Sequence, residues 1–398
     1  MKPEILAPSG DLETVKAALK YGADAIYLGG PMMQMRAASA GFTWETLKEA
    51  ADLIHAKGKR MYVAVNIFPY NEEIPLLGDY TRRLKDLGAD ALIVSDIGAI
   101  ATIKEANPDI EIHLSTQANC MNYAAAKVYY QMGVKRIVLA RELSIKQIAE
   151  LRKNIPADLQ LEAFVHGAMC MSYSGRCMIS AFTTGRSANR GQCAQSCRWN
   201  YYLMEEKRPG EFFKVEESEQ GMTILSSKEL CCAEIADQLT EAGIDSFKIE
   251  GRMRTPYYVG TVVNAYRLLL DGKISPKEAR AELDTVSHRP FCTGFYLGDP
   301  TQIVGDSNGY VRDSVFVATA AEASEDGKLK IETRNAFNVG DELEVLTPGY
   351  VGRKFVVECI EDAEGNKLTR SASPMKILTI NAPDGVEPAD ILRRKDSK

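Results

Sequence analysis

The sequence lacks long apolar runs, a leader-like start and any excess of basic residues. No stretch approaches the roughly 20 apolar residues that span a bilayer, and the first residues, Met1 to Pro8, have no apolar core of the kind found in signal peptides. Acidic residues outnumber basic ones by 54 to 48. These absences predict a cytoplasmic protein without a membrane segment. They also exclude a basic coat over the whole chain for nonspecific nucleic-acid binding.

Histidine is scarce, and two familiar motifs are missing. The four histidines are His55, His113, His166 and His288. No His-Glu-x-x-His zinc-protease pattern occurs. No Gly-x-Gly-x-x-Gly follows the first predicted strand, which argues against the alternative of a doubly wound open sheet. Cysteine, by contrast, occurs nine times. In a cytoplasmic chain, clustered cysteines indicate metal or redox chemistry rather than structural disulfides.

The first three quarters of the chain repeat one pattern, in which a helical stretch and a glycine precede a short apolar run. Gly22-Ala23-Asp24 is one example, and Gly88-Ala89-Asp90 is another. Glycine ends helices because it tolerates positive φ, and short apolar runs are typical of parallel strands buried on both faces. The eight predicted strands are Glu4 to Ala7, Ala25 to Gly29, Met61 to Asn66, Ala91 to Asp96, Glu111 to Ser115, Arg136 to Arg141, Leu159 to Val165 and Ser246 to Glu250. This alternation predicts an α/β fold, a (β/α)8 TIM-like barrel over residues 1–299.

Two further regions depart from this pattern. Between the seventh and eighth predicted strands, at about residues 166–243, lies a cysteine-rich insertion much longer than a loop and one helix require. From residue 300 to 398, alternating segments are separated by turns such as Pro348-Gly349. This pattern of alternating segments and turns predicts a small C-terminal antiparallel β-barrel domain.

Polar side chains follow several of the predicted barrel strands. Because TIM-barrel active sites gather at the C-terminal ends of the strands, these side chains are predicted to share one pocket. They are Asn66, Gln117, Arg141, His166, Lys248 and Glu250. Cys170 is predicted to lie with His166 at the barrel mouth.

The insertion contains six of the nine cysteines, namely Cys170, Cys177, Cys193, Cys197, Cys231 and Cys232. Four thiolates can hold a zinc ion or an iron–sulfur cluster. Zinc sites more often show short Cys-x-x-Cys knuckles, which this chain lacks, so the wide spacing favours a cluster. The alternative is that these side chains are buried core residues, which is the better interpretation for Cys120, Cys292 and Cys359. Cys231 or Cys232 is predicted at the start of a helix.

The insertion also has an unusual charge distribution. From Ala163 to Met204 there is no aspartate or glutamate, whereas arginines and aromatic residues recur. The arginines are Arg176, Arg186, Arg190 and Arg198. Arginine and aromatic residues together hold phosphates and stack on bases. The alternative is that the arginines balance the charge of anionic thiolates.

Several longer motifs resemble those of the U32 peptidase family. The stretch from Glu162 to Cys170 (Glu-Ala-Phe-Val-His-Gly-Ala-Met-Cys), followed by Gly175 to Ser180 (Gly-Arg-Cys-Met-Ile-Ser), is similar to the family signature. Further stretches that agree are Ala7-Pro8-Ser9-Gly10, Ser115-Thr116-Gln117-Ala118-Asn119, Phe247 to Arg254 and Thr293-Gly294-Phe295-Tyr296. The resemblance covers nearly the whole chain. It is greatest to the family's tRNA uridine 5-hydroxylation proteins.

The resemblance implies an iron–sulfur protein that assists hydroxylation of the tRNA wobble uridine without O2, with prephenate implicated. An rRNA cytidine or a quinone ring is the substrate of other members. The implied ligands of one 4Fe-4S cluster are Cys170, Cys177, Cys193 and Cys231, with the adjacent Cys232 leaving the fourth ligand open. The implied partners are tRNA, prephenate or a related small molecule and the iron–sulfur assembly machinery. An oligomer with itself or a paralogue is left open.

Position and resemblance together assign provisional roles to the polar residues. The predicted catalytic residues are His166, Glu250 and Arg141. The predicted substrate-binding residues are Asn66, Gln117, Arg176, Arg186, Arg190, Lys248 and Arg252. A collagenase-like Cys–His peptidase that uses His166 is the alternative function. It ranks lower because it leaves the other clustered cysteines unexplained, and a non-catalytic binding protein is a third class.

Overall fold

The structure is a computed structural model of the 398-residue chain. It describes residues 2–34, 41–169, 184, 194, 196, 217–218, 221–222, 227–298, 310–371 and 373–396. The chain forms two compact units. Unit 1 comprises Met1–Leu19, Ala23–Arg254 and Arg289–Tyr310, and unit 2 comprises Lys20–Gly22, Thr255–His288 and Val311–Lys398. Within the described ranges, none of the helices has the length and apolar character needed to cross a bilayer.

Unit 1 is built around eight parallel strands. They are β1 (Glu4–Pro8), β2 (Ala25–Gly29), β3 (Arg60–Val65), β4 (Ala91–Val94), β5 (Glu111–Leu114), β6 (Val134–Val138), β7 (Gln160–Ala168) and β8 (Ser246–Ile249). Each strand pairs in parallel with the next from β1 to β7, and β8 pairs with both β7 and β1. The sheet therefore closes, and the predicted TIM-like barrel is confirmed.

Helices follow the strands of the barrel. They are α1 (Leu12–Lys20), α2 (Trp44–Ala56), α3 (Leu77–Asp86), α4 (Ile97–Ala106), α5 (Tyr123–Gln131), α6 (Ile145–Lys153) and α7 (Ala236–Glu241). Short 3-10 turns are described at Ile74–Leu76, Thr116–Ala118 and Ala233–Ile235. The glycines after α1 and α3, Gly22 and Gly88, have φ of 99° and 108°, a region that disfavours side chains. The helix-ending role predicted for them is confirmed.

The aspartate two residues after the glycine has a structural role in Gly22-Ala23-Asp24, Gly88-Ala89-Asp90 and Gly243-Ile244-Asp245. Its carboxylate accepts a hydrogen bond from an amide near the start of a neighbouring strand. The three contacts are Ile5 N to Asp24 Oδ2 at 3.0 Å, Met61 N to Asp90 Oδ2 at 2.7 Å and Leu161 N to Asp245 Oδ2 at 2.8 Å. Each contact satisfies a backbone donor that would otherwise lack a partner at the strand's beginning. The repeat therefore fixes strand starts as well as helix ends.

Two short strands extend the sheet beyond the barrel. Glu229–Cys231 pairs antiparallel with the end of β7, and Phe291–Cys292 pairs in parallel with Glu229–Cys231. A separate hairpin joins Glu217–Ser218 to Gly221–Met222. Of the two cysteines predicted at the start of a helix, Cys231 ends a strand and Cys232 directly precedes a 3-10 turn. Residues 233–235 then form a 3-10 turn before α7.

Unit 2 combines helices α8 (Pro256–Leu270) and α9 (Pro276–Leu283) with antiparallel strands. Eight strands form one sheet, in the spatial order Arg353–Val356, Glu342–Leu346, Ile391–Lys395, Ser314–Ala320, Lys328–Thr333, Ile377–Asn381, Ile360–Glu361 and Lys367–Leu368. Phe337–Asn338 pairs separately with Arg370–Ser371. The sheet packs on an apolar core that includes Leu329, Ile331 and Val345. The predicted antiparallel C-terminal architecture is confirmed.

Candidate functional site at the barrel mouth

The ends of β3, β4 and β5 bring three polar residues together. Asn66 follows β3, Ser95 follows β4, and Gln117 lies in the 3-10 turn after β5. Asn66 Nδ2 donates to Gln117 Oε1 at 2.7 Å, and Ser95 Oγ donates to the Asn66 carbonyl at 3.0 Å. Asn66 and Gln117 are therefore in direct contact at the C-terminal end of the barrel.

Arg141 and His166 lie on the β6–β7 side of the same end. Arg141 donates to the carbonyl of Ala168 at 3.0 Å, and its guanidinium lies 5.1 Å from the ring centroid of Phe164. His166 is completely buried, and its ring centroid is 5.3 Å from that of Phe291. Both residues therefore lie against the segment that leads from β7 into the cysteine-rich insertion.

Lys248 lies inside the barrel rather than beyond the end of its strand. Only 3% of the residue is exposed, and its Nζ donates to Glu162 Oε1 at 2.7 Å. The same ammonium is 4.4 Å from the ring centroid of Tyr27 and 5.6 Å from that of Phe164. Phe164 therefore contacts two cations, because Arg141 approaches the same ring. The ion pair with Glu162 therefore fixes the ammonium of Lys248 below the mouth of the barrel.

Glu162 links Lys248 to a chain of charges that continues down the barrel. Its other oxygen, Oε2, accepts from Arg136 NH1 at 3.1 Å, and the same nitrogen donates to Glu4 Oε1 at 2.6 Å. Burial alone would raise the pKa of Glu162, but Lys248 and Arg136 outweigh it and lower the pKa from 4.5 to about 2. The Glu162 carboxylate is therefore ionised at neutral pH.

Glu250 and Arg252 follow β8 and contact the β2 side of the mouth. The Tyr27 hydroxyl donates to the carbonyl of Ile249 at 2.9 Å and lies 3.4 Å from Glu250 Oε2. Arg252 donates to Gln34 Oε1 at 2.8 Å and is largely buried. Tyr27 therefore joins the surroundings of Glu250 to those of Lys248, whereas Arg252 belongs to a separate polar contact.

The cysteines that follow the insertion have different surroundings. Cys231 lies opposite His166 in the antiparallel ladder, so the two side chains share one face of the sheet. Cys232 is completely buried, and its pKa is raised well above 9.0 by burial and then by the nearby Cys231 and Cys292. Cys292, interpreted from the sequence as a buried core residue, is 8% exposed and lies near Cys232.

The remaining predicted site residues lie outside the described residues. They are Cys170, Cys177, Cys193, Arg176, Arg186 and Arg190, and Cys197 and Arg198 lie outside them as well. In the part of the chain that the structure describes, no group of three or more His, Cys, Asp or Glu side chains is arranged to hold a metal ion.

Two family profiles together cover most of the chain. The profile of peptidase family U32 matches residues 10–306, and that of the U32 C-terminal domain matches residues 312–393. This chain belongs to peptidase family U32. A tRNA hydroxylation protein of Bacillus subtilis is 36% identical over 99% of this chain and 95% of its own length. A collagenase of Porphyromonas gingivalis is 33% identical over 99% of this chain and 98% of its own.

A third U32-related protein covers a shorter stretch. The 23S rRNA 5-hydroxycytidine synthase of Escherichia coli is 36% identical over 72% of this chain and 42% of its own length. The names of these relatives thus include two RNA hydroxylation functions and one proteolytic function. The family resemblance stated from the motifs is confirmed.

Sequence reasoning missed the charges inside this U32 barrel. Glu4, Arg136 and Glu162 were assigned only to strands or to a motif, yet the structure joins them in one ionic chain. The sequence signal for these inward charges was the alternation of inward and outward side chains along each strand. Inward positions recur at every second residue of a strand, and Glu162 and Phe164 have that spacing in β7, before the register shift that precedes His166. A charged residue at such a position of a buried strand requires a partner.

Proposed function

We propose that this chain takes part in O2-independent 5-hydroxylation of the tRNA wobble uridine, as an iron–sulfur protein of the U32 family. The observation that carries the proposal is the match over nearly the whole chain to a protein named for tRNA hydroxylation. The barrel mouth supports it, because polar and cationic side chains from several strands meet there, as in TIM-barrel enzymes. Prephenate or a related small acid is the proposed co-reactant.

The proposed cluster ligands are Cys170, Cys177, Cys193 and Cys231. Of these, the structure describes Cys231, which is 5% exposed and shares a sheet face with His166. Cys231 is proposed as the fourth ligand because it lies opposite His166 at the end of β7. Cys232, the next residue, is the alternative fourth ligand. When bound, an iron–sulfur cluster supplies redox chemistry tuned by its surroundings.

The chain's own side chains supply binding and charge at the mouth. Arg141 offers a positive charge at the mouth against Phe164, and Lys248 offers an ammonium beneath the mouth whose charge Glu162 balances. Such fixed cations stabilise an anionic substrate or a charge that develops during reaction. The acid-free arginine segment is proposed to contact the tRNA phosphates, with the iron–sulfur assembly machinery as the partner that loads the cluster.

The experiment is nucleoside mass spectrometry of tRNA from a strain that lacks this gene. Loss of 5-hydroxyuridine derivatives, restored by the wild-type gene but not by Cys177→Ser, is the expected result. Anaerobically purified wild-type protein should contain iron and the Cys177→Ser variant should not. Unchanged wobble uridines in the deletion strain would overturn the proposal.

Collagenase-like proteolysis is the second candidate, favoured by the collagenase relative. The stretch 305–309, Gly-Asp-Ser-Asn-Gly, fits a nucleophile pattern of serine hydrolases but lies outside the described residues. That pattern needs a following helix, whereas the next described element is the strand Ser314–Ala320. Gelatin cleavage by the pure protein that requires a cysteine and His166 would replace the hydroxylation proposal.

A further inference from the structure

The amide of Gln117 has one satisfied end and one unsatisfied end. Oε1 accepts from Asn66 Nδ2 at 2.7 Å, so the amide of Gln117 presents its oxygen to Asn66 and its nitrogen away from it. Gln117 is 5% exposed, and its Nε2 is buried with no acceptor at hydrogen-bond distance among the described residues. A buried N–H donor at the barrel mouth therefore has no hydrogen-bond acceptor in the described part of the chain.

A second unsatisfied atom lies on the same turn. Oδ1 of Asn119 is also buried without a donor partner in the described part of the chain. Asn119 has φ 55° and ψ 47°, the left-handed conformation that ends the turn Thr116–Ala118. Each buried polar group without a partner reduces stability, and such groups in native proteins are often explained by a bound ligand. A donor and an acceptor without partners thus lie two residues apart on one turn at the C-terminal end of the barrel.

We propose that Gln117 and Asn119 form the subsite that recognises the uracil ring. Gln117 Nε2 donates to the carbonyl oxygen at carbon 4, and Asn119 Oδ1 accepts from the adjacent ring imide N–H. Cytosine presents an amino donor and a bare ring nitrogen at these positions, so it opposes both groups. This subsite therefore selects uridine over cytidine. The inference rests on the proposed hydroxylation of a uridine and names the residues that choose the base.

The position of the subsite agrees with the chemistry. Carbon 5, the atom that is hydroxylated, is bonded to the carbon that carries the recognised carbonyl. A hydrogen bond to that oxygen therefore holds the reacting edge of the ring beside the C-terminal end of the barrel. Asn66 is a positioning residue in this arrangement, because it touches Gln117 and sets which end of the amide faces the ring.

The test measures base preference by binding, without catalysis. Two anticodon stem–loop RNAs that differ only in uridine or cytidine at the wobble position are titrated against the purified holoprotein by fluorescence anisotropy. The wild type should bind the uridine RNA about tenfold more tightly or better. Gln117→Glu keeps the acceptor for Asn66 but replaces the donor, and should reduce the preference to about twofold or less. Gln131→Glu, the same change on the exposed end of α5, should keep it.

A second variant tests the subsite independently, in case Gln117→Glu disturbs the fold. Asn119→Gly tolerates the left-handed backbone and removes only the side chain, and it should also reduce the uridine preference. Equal binding of the two RNAs by the wild type, or an unchanged preference in both variants, would overturn the inference. Weaker binding of both RNAs by the same factor in Gln117→Glu would also overturn it. Gln117 would then contact a part of the RNA that the two RNAs share, and not the wobble base.

An activity measurement separates this inference from the proposed function. If the wild-type gene restores 5-hydroxyuridine derivatives in the deletion strain and Gln117→Glu restores them equally, the subsite is wrong and the function stands. If the wild-type gene restores nothing, both are wrong. Restoration by the wild type and by Gln131→Glu, with at least a tenfold loss in Gln117→Glu, is the supporting result.

Discussion

Lys248 and Glu162 form an ion pair of 2.7 Å inside the barrel, in a position where neither side chain has appreciable contact with water. Arg136 approaches the second oxygen of the same carboxylate at 3.1 Å and also donates to Glu4 at 2.6 Å. Two cations and two carboxylates thus balance one another, which offsets the cost of burying the charges better than a single pair does. The arrangement holds the ammonium of Lys248 against Tyr27, below the mouth of the barrel.

Removing the Glu162 charge should destabilise the barrel strongly. Glu162→Gln leaves Lys248 and Arg136 buried with less compensation, and the expected loss in the free energy of unfolding is about 3 kcal/mol. Urea denaturation measures it. The matched control is Glu322→Gln, which breaks an exposed pair with Lys330 and should cost less than about 1 kcal/mol. Similar losses of unfolding free energy in the two variants would contradict the predicted stabilising role of the buried Glu162 charge.

Through the Glu162 carboxylate, the stability of the fold should depend on pH in the acidic range. The pKa of Glu162 is about 2 in the folded chain against an ordinary value of 4.5, so its ionised form stabilises the fold above the ordinary value. That contribution is lost as the pH falls from 4.5 toward 2, because the unfolded chain takes up the proton first. Melting temperatures of wild type and Glu162→Gln should therefore converge in this range. A constant difference would contradict it.

The barrel could be predicted because its signals are local. Gly88 and Asp90 act within a few residues of the helix end and the strand start, and the apolar run that follows is short and continuous. The strand Glu229–Cys231 could not be predicted in this way. It depends on pairing with β7 and with Phe291–Cys292, which lie about 60 residues away on either side.

The site could be predicted in position but not in contacts. Asn66 follows β3 and Gln117 follows β5, with β4 between these strands, so topology alone places both residues at one end of the barrel. The sequence gives no sign of which atom of Gln117 is already bonded. Lys248 was predicted at the mouth and lies deeper, because its partner Glu162 points inward from the adjacent strand.

The C-terminal unit should depend on one buried arginine. Arg393 donates to Glu282 at 2.7 and 2.8 Å and to Glu344 at 2.8 Å, which joins α9 to two strands of the sheet. Arg393→Met leaves both carboxylates without this partner, and the expected cost is about 3 to 5 kcal/mol in the unfolding of unit 2. Arg312→Ala, which removes an exposed pair with Asp396, should cost less than about 1 kcal/mol.

The acid-free segment should contribute phosphate contacts to tRNA. Arg186 and Arg190 lie outside the described residues, and the prediction rests on their charge and on the absence of neighbouring acids. Each lost phosphate contact reduces the slope of log affinity against log salt by about one. Arg186→Ala and Arg190→Ala should therefore weaken tRNA binding most at low salt while iron content stays normal. Arg312→Ala is the control, and an unchanged slope in both variants would contradict the prediction.

The adjacent thiols Cys231 and Cys232 should have separate effects on iron and on stability. Cys231→Ser should abolish iron binding, because this thiol shares a face with His166 at the exit of β7. Cys232→Ser should retain iron but lower the melting temperature, because it places a hydroxyl in a completely buried position. Iron assay and visible spectra of anaerobically purified protein measure the first effect, and thermal unfolding measures the second. Cys359→Ser, in unit 2, should change neither. Loss of iron in Cys232→Ser with retention in Cys231→Ser would reverse the assignment of the fourth ligand.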